Sequence, residues 1–205
     1  MVIAICGASG SGKTTLAKWL AKNLEIGFFE QSAGLIIPEA TQNYLQDEYG
    51  WKKAGHKEVI QLSNANPQFG LEFQIEILRA RTGILKKLSE IKEHNCIIDR
   101  SPVDNLSYFL LQCSHNQNEE DCQRFIGACQ DAMQYIDKII FVQTGIPIID
   151  NGSRVPNIVY QQLVDNTFSF VIKEYFTVMF NVQGLTITGT DLAKRCELAS
   201  KFIKE

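Results

Sequence analysis

The sequence lacks an excess of basic residues and any cysteine pattern typical of a zinc site. It has 20 Lys and Arg against 23 Asp and Glu, a formal net charge of −3. This balance disfavours a general nucleic-acid partner, because such proteins need a basic surface to displace counterions from phosphates. The six cysteines are scattered without a C-x-x-C pair. We therefore expect reduced thiols in a reducing compartment, with no structural metal.

Long apolar runs are also missing. No stretch reaches the roughly 18 to 20 apolar residues that a membrane-spanning helix needs, so no membrane partner is expected. The apolar start, residues 1–6, runs directly into glycines without a basic segment or a cleavage site, which predicts a strand rather than a leader. With 205 residues and 45% apolar content, one domain covering 1–205 is expected, in the cytoplasm.

Apolar strands alternate along the chain with segments of helical periodicity. The predicted strands are 2–6, 26–29, 96–99, 138–142 and 185–188. The predicted helices are 13–24, 42–49, 69–93, 103–112, 119–135, 160–180 and 191–203. This alternation predicts a three-layer α/β fold with a mostly parallel central sheet and helices on both faces.

A phosphate-binding pattern follows the first strand. The sequence fits G-x-x-x-x-G-K-[ST] at every position, and the residues expected to bind ATP are Gly7, Ala8, Ser9, Gly10, Ser11, Gly12, Lys13, Thr14 and Thr15. Glycines let successive backbone N–H groups face an anion, Lys13 can reach the β- and γ-phosphates, and Thr14 can offer its hydroxyl to Mg²⁺. A chance glycine-rich turn is the alternative, but the position between a strand and an amphipathic helix disfavours it.

A second polar group lies where the strand 96–99 ends, in the sequence Asp99-Arg100-Ser101. In an open parallel sheet, ligands bind beyond the carboxyl ends of the strands, so Asp99 should face the phosphate loop. There it could hold Mg²⁺ or take a proton from the acceptor, while Arg100 could pair with the transferring phosphate. Asp99 or Ser101 before Pro102 is also a helix-start signal, and the two roles are compatible.

Together, the phosphate loop, Asp99-Arg100-Ser101 and the spacing to Asp104 and Tyr108 resemble the deoxynucleoside kinase and thymidylate kinase branch of the P-loop kinases. The spacing is also similar to that of kinase domains that phosphorylate nicotinamide riboside. The resemblance implies a P-loop kinase fold with a lid loop, ATP as phosphate donor, Mg²⁺ as cofactor and a small acceptor molecule.

The resemblance extends to the acceptor side, where it implies roles for Phe73, Gln74, Arg81, Asp104 and Glu39. Gln74 and Arg81 are seven residues apart and so share one helix face, although a solvated face is the alternative. Glu39 resembles a glutamate that acts as base towards the 5′-hydroxyl, but Ala40 stands where that family has proline. An exposed loop carboxylate is the alternative for Glu39.

A Gly- and Pro-containing loop at about 144–158 is the expected lid. Its segment Asp150-Asn151-Gly152-Ser153-Arg154 resembles a stretch of the nicotinamide riboside kinases, with Asn151 in place of an Asp. Closure of this loop would exclude water and bring Arg154 to the transferring phosphate. An Asn-Gly turn with an exposed arginine is the alternative.

These features predict an ATP- and Mg²⁺-dependent kinase that transfers the γ-phosphate to a nucleoside or a nucleoside monophosphate. Sites for monophosphates usually gather several arginines, and the candidates here are Arg79, Arg81, Arg100 and Arg154, which slightly favours a nucleoside. Two alternatives remain, a kinase of a hydroxymethylated base in DNA and a nucleotide-dependent regulatory switch ATPase. A homodimer is compatible with the sequence.

Overall fold

The computed structural model describes residues 1–31, 33–51, 56–91, 95–146, 157–177 and 182–205. Within them lies a five-stranded, wholly parallel sheet in the order β2-β3-β1-β4-β5. The strands are β1 (Val2–Cys6), β2 (Gly27–Glu30), β3 (Cys96–Asp99), β4 (Lys138–Val142) and β5 (Gln183–Ile187). β1 is central, so the loop that follows it lies in the middle of the carboxyl edge of the sheet.

Helices connect the strands, as parallel pairing requires. The described α-helices are α1 (Lys13–Leu24), α2 (Ala33–Ile36), α3 (Glu39–Tyr49), α4 (His56–Ala65), α5 (Pro67–Glu90), α6 (Pro102–Gln112), α7 (Glu119–Met133), α8 (Ile158–Val171) and α9 (Leu192–Lys204). A 3₁₀ turn (Ser114–Asn116) follows α6, and a π-helical segment (Ile172–Thr177) continues α8.

Alternate residues of β1 contact opposite layers of helices. Ala4 and Cys6 belong to the apolar cluster formed with α5 to α8, whereas Ile3 and Ile5 belong to the cluster formed with α1 and α9. All five residues of β1 are buried, which explains its continuous apolar sequence. The three-layer α/β fold predicted from the sequence is confirmed.

A third apolar cluster lies where α3 and α4 pack on α5. Phe73 of α5 stacks with Phe69 at 5.5 Å between ring centroids and meets Trp51 edge-on at 5.3 Å. Leu45 of α3 and Val59 of α4 complete this contact. The cluster holds these helices against the amino-terminal half of α5.

The structure corrects several predicted boundaries. The helix α4 was not predicted, and the helix expected at 42–49 begins at Glu39 with Pro38 as its N-cap. The helix expected at 160–180 begins at Ile158, because the Asn157 side chain accepts from the backbone N–H groups of the first turn, and its regular part ends at Val171. Among the described residues, no helix combines the length and apolarity needed to cross a membrane.

Candidate active site

The phosphate loop folds as its glycines require. Gly7, Gly10 and Gly12 have φ angles of 142°, 84° and 86°, in the left-handed region that side chains disfavour. A Cβ at Gly7 would also collide with the carbonyl oxygen of Val142. The loop leads into α1, whose unpaired N–H groups and partial positive charge suit an anion.

Lys13 is buried at the start of α1, and its Nζ donates to the carbonyl oxygen of Ala8 at 3.0 Å. Burial lowers the pKa of Lys13 to about 8, and the nearby Arg100 guanidinium acts in the same direction. The carboxylates of Asp104 and Asp99 partly oppose this shift. The ammonium therefore lies in a site where a polyphosphate would be a better partner than the single carbonyl it contacts.

Thr14 and Asp99 meet across the ends of β1 and β3. The Thr14 hydroxyl donates to Oδ2 of Asp99, while Oδ1 of the same buried carboxylate has no hydrogen-bond partner among the described residues. A hydroxyl beside a carboxylate with an unpaired buried oxygen is an oxygen donor set that fits Mg²⁺. The geometry thus brings together the two residues predicted to bind the metal.

Arg100 lies at the turn from β3 into α6 with a φ of 90°, a strained value for a residue other than glycine. Its guanidinium lies 3.5 Å from the Asp104 carboxylate. Burial alone would lower the pKa of Arg100, but Asp104 and the Tyr108 hydroxyl outweigh it and raise that pKa. Tyr108 in turn accepts a hydrogen bond from the backbone N–H of Ser9 at 3.1 Å, which links Arg100 to the phosphate loop.

Asp104 also fixes the start of α6. Its Oδ2 accepts from the Ser101 backbone N–H at 2.8 Å, and Ser101 accepts from the Val103 N–H, which completes a capping box. The helix-start signal read at Ser101 is confirmed. The described contacts of Asp104 are with Ser101 and Arg100, so its contact with an acceptor stays a prediction.

Arg81 forms a buried bridge between strand ends. It donates to the side chain and the backbone carbonyl of Gln31 at 3.1 and 3.0 Å, to the carbonyl of Ser101 at 3.0 Å and to Oδ1 of Asn105. Burial lowers the pKa of Arg81 to about 10. Arg81 thereby ties α5 to the ends of β2 and β3.

Gln74 shares this network, because its Oε1 accepts from Nδ2 of Asn105 at 3.1 Å. Gln74 is 4% exposed and Arg81 is 2% exposed, so the alternative of a solvated helix face is wrong for both residues. Phe73 is buried in the aromatic cluster with Phe69 and Trp51. Its contact with an acceptor stays a prediction.

Two candidates lie apart from this buried group. Glu39 is exposed in the first turn of α3, and Thr15 is exposed in the first turn of α1. Arg154 and the Asp150-Asn151-Gly152-Ser153 stretch lie outside the described residues, as does most of the predicted lid.

Sequence reasoning missed three residues of this region. Gln31 follows β2, and its buried Nε2 has no partner in the described part of the chain; a polar residue directly after an apolar strand was an available signal. Asn105 joins Gln74 to Arg81, but nothing local marks it. Asp165 of α8 accepts from the N–H and the hydroxyl of Thr144, at 2.9 and 2.5 Å, and so holds the start of the loop after β4.

A central phosphate loop, a carboxylate at the neighbouring strand end and helices on both faces define a P-loop protein with the fold of the nucleoside and nucleotide kinases. The AAA domain family matches the chain over residues 2–195, and the protein belongs to that family. No curated protein matches the sequence.

Solved structures of similar fold span the whole chain. Deoxyadenosine kinase from M. mycoides, with products dCMP and a flexible dCDP bound, has 19% identity and a TM-score of 0.67, covering 100% of this chain and 99% of its own. Thymidylate kinase from Ehrlichia chaffeensis has 18% identity and a TM-score of 0.61, with coverage of 100% and 98%. The NadR protein in complex with NR has 13% identity and a TM-score of 0.60, with coverage of 98% and 50%.

Proposed function

We propose that this protein is an ATP- and Mg²⁺-dependent kinase that transfers the γ-phosphate to the hydroxyl of a nucleoside. The observation that carries the proposal is the buried Asp99 carboxylate, which contacts Thr14 of the phosphate loop through one oxygen, while its other oxygen has no partner within the described ranges. Transfer of a phosphoryl group needs positioning and charge stabilisation at such a point.

Each residue of the phosphate side has a distinct role in this proposal. Lys13 exchanges the Ala8 carbonyl for the β- and γ-phosphate oxygens and stabilises their developing charge. Arg100, held by Asp104, approaches the transferring phosphate from the end of the neighbouring strand β3. Arg154 of the lid would add a further positive charge after closure, as its position in the loop sequence suggests.

Thr14 and Asp99 are the residues that would hold Mg²⁺. The ion would neutralise charge on the triphosphate and orient its terminal phosphate for attack. The unpaired oxygen of Asp99 supports this role, because a buried carboxylate oxygen without a partner is costly unless a ligand or water satisfies it.

The acceptor side is supported by the direction of the hydrogen bonds around Asn105. Arg81 can only donate, so Asn105 must turn its oxygen to Arg81 and its amide group to Gln74. Gln74 accepts through Oε1 and keeps Nε2 as its donor for other partners. This polarity favours an acceptor base that presents a carbonyl or an unprotonated ring nitrogen to Gln74.

The nucleoside preference rests on the arginines. Arg81 is a candidate for pairing with an acceptor phosphate, but it already donates four hydrogen bonds to oxygen atoms of the protein. Fewer free cations then remain for a monophosphate, which needs several. The structural relatives include kinases of both acceptor types, so the comparison does not distinguish a nucleoside from a monophosphate acceptor, and the preference rests on the arginines.

Removal of the hydroxyl proton requires a base, and Glu39 and Asp99 are the two candidates. Asp99 already contacts Thr14, which favours a role in metal binding. Glu39 is then the group that accepts the proton of the acceptor hydroxyl. The exposure of Glu39 on α3 fits a group that meets its partner only when an acceptor is bound.

A kinase of a modified base in DNA and a switch ATPase remain the alternatives, and the net charge of −3 speaks against the first. A homodimer and a cytoplasmic location stay predictions. The test is release of ADP from Mg-ATP in the presence of a panel of nucleosides and monophosphates. We expect a nucleoside to accelerate release by orders of magnitude; slow release that no small acceptor accelerates would favour the switch.

A further inference from the structure

A second buried arginine lies behind the phosphate loop. Arg195, on the first turn of α9, is 2% exposed, and its guanidinium donates to carbonyl oxygens of three separate segments. These are Ser11 in the phosphate loop at 2.5 Å, Gln143 after β4 at 3.2 Å and Gly189 in the turn before α9 at 2.7 Å. No motif in the sequence singled it out.

Within the part of the chain that the structure describes, the charge of Arg195 has no carboxylate partner. None of the ion pairs between described side chains includes it, and burial lowers its pKa without any opposing acidic group. A buried cation compensated by carbonyl dipoles alone is costly for a fold to keep. An anion on the far side of the phosphate loop would supply the missing compensation.

The contact with Ser11 also orients the next N–H group. The peptide bond between Ser11 and Gly12 is planar and trans, so its carbonyl and its N–H point in opposite directions. Because Arg195 holds the carbonyl of Ser11, the N–H of Gly12 must point away from the guanidinium. A hydrogen bond to the carbonyl also polarises that N–H and makes it a stronger donor.

Space around Gly12 fits the same arrangement. A Cβ at this position would lie 3.1 Å from Nη1 of Arg195, which is tighter than ordinary contact. The φ angle of Gly12 is 86°, a value that residues with a side chain rarely adopt. The guanidinium therefore packs directly against the backbone of the loop. Asp191 caps α9 by accepting from the N–H groups of Ala193 and Lys194, which fixes the helix from which Arg195 reaches back to the loop.

We propose that Arg195 is a positioning residue for the donor triphosphate: it holds the Ser11–Gly12 peptide so that the N–H of Gly12 faces the phosphates, and it adds positive charge behind the loop. The inference rests on the proposed function only in that the loop binds a triphosphate. It does not depend on which acceptor is phosphorylated.

The test compares Arg195→Met and Arg195→Lys with Lys201→Met, which removes an exposed positive charge from the same helix. Calorimetry measures binding of inorganic tripolyphosphate and of Mg-ATP, and NMR follows the amide resonance of Gly12, with Gly83 on the open face of α5 as reference. Tripolyphosphate reports on the loop alone, because it carries no base. Thermal unfolding shows which variants are folded.

We expect Arg195→Met to lower the binding affinity for tripolyphosphate and for Mg-ATP alike, by roughly 10- to 100-fold. Arg195→Lys keeps a positive charge, so it should lose less affinity than the Met variant, and it should shift the Gly12 amide resonance. This second variant keeps the test possible if the Met variant fails to fold. Lys201→Met should stay within about twofold of the parent, as expected for an exposed, screened charge.

Three results would overturn the proposal. The first is parental affinity for tripolyphosphate in a folded Arg195 variant, and the second is an unmoved Gly12 amide resonance in both variants. The third is an equal loss of affinity for the acceptor nucleoside, which would indicate general damage rather than positioning. If the parent binds tripolyphosphate in the expected manner but phosphorylates no acceptor, the proposed function fails while the role of Arg195 stands.

Discussion

Replacement of Arg81 by leucine should destabilise the fold strongly, whereas the same change two residues earlier, at Arg79, should not. Arg81 is buried and bridges α5 to the ends of β2 and β3 through Gln31, Ser101 and Asn105. The Arg79 side chain is 72% exposed and pairs with Glu76 on the same helix. The two variants therefore remove the same charge from one helix in opposite environments.

The magnitude follows from the groups left behind. Arg81→Leu leaves four acceptor contacts unmade in the interior, which would cost about 1–3 kcal/mol each if none relaxed. Removing the buried cation recovers part of its desolvation penalty, so we expect a net loss of about 3–5 kcal/mol in the free energy of unfolding. Arg79→Leu should cost less than about 0.5 kcal/mol, because exposed ion pairs contribute little.

Urea denaturation followed by tryptophan fluorescence measures both values, since Trp51 is buried against α5 and reports on the packing of that region. Equal stability of the two variants would refute the bridging role. Arg81 would then be free to serve as an acceptor ligand, and the preference for a nucleoside over a monophosphate would lose its main support.

Three further predictions concern the chemistry. Affinity for Mg-ATP should be steady near neutral pH and fall above about pH 8, because the pKa of Lys13 is lowered to about 8 and the triphosphate requires the protonated lysine. Calorimetry should show proton uptake on binding in that range, and Lys13→Ala should abolish both this pH dependence and phosphoryl transfer. Asp99→Asn should lower kcat by about 10²- to 10⁴-fold, and Glu39→Gln should also lower kcat; near-parental steady-state kcat in both variants would exclude a nucleoside acceptor. Gln74→Ala should raise the acceptor KM by about tenfold and reduce discrimination between bases, and an unchanged KM would show that Gln74 does not contact the base.

Local patterns predicted the backbone of the phosphate loop, whereas its binding of a triphosphate stays a prediction. The glycine spacing from Gly7 to Gly12 fixes a backbone shape that depends on few distant residues, and the structure has it. The rule that parallel strands end at one edge was enough to bring Asp99 towards Thr14, although the hydrogen bond between them could not be foreseen. These parts depend on backbone geometry and strand order.

The acceptor side was less predictable, because its geometry depends on contacts between distant segments. Arg81 meets Gln31, 50 positions earlier, and Asn105, 24 positions later. Helical spacing showed that Gln74 and Arg81 share a face, but not that this face is buried. Arg195 was missed for the same reason, since its partner Ser11 is 184 positions away.

The most direct test of the central claim is to incubate the protein with Mg²⁺, γ-labelled ATP and individual nucleosides, and to identify the labelled products by chromatography. We predict that the label appears on the hydroxyl of at least one nucleoside, and that Lys13→Ala loses this product while remaining folded. Label that appears only as inorganic phosphate, whatever small acceptor is supplied, would contradict the assignment of this site as a kinase centre.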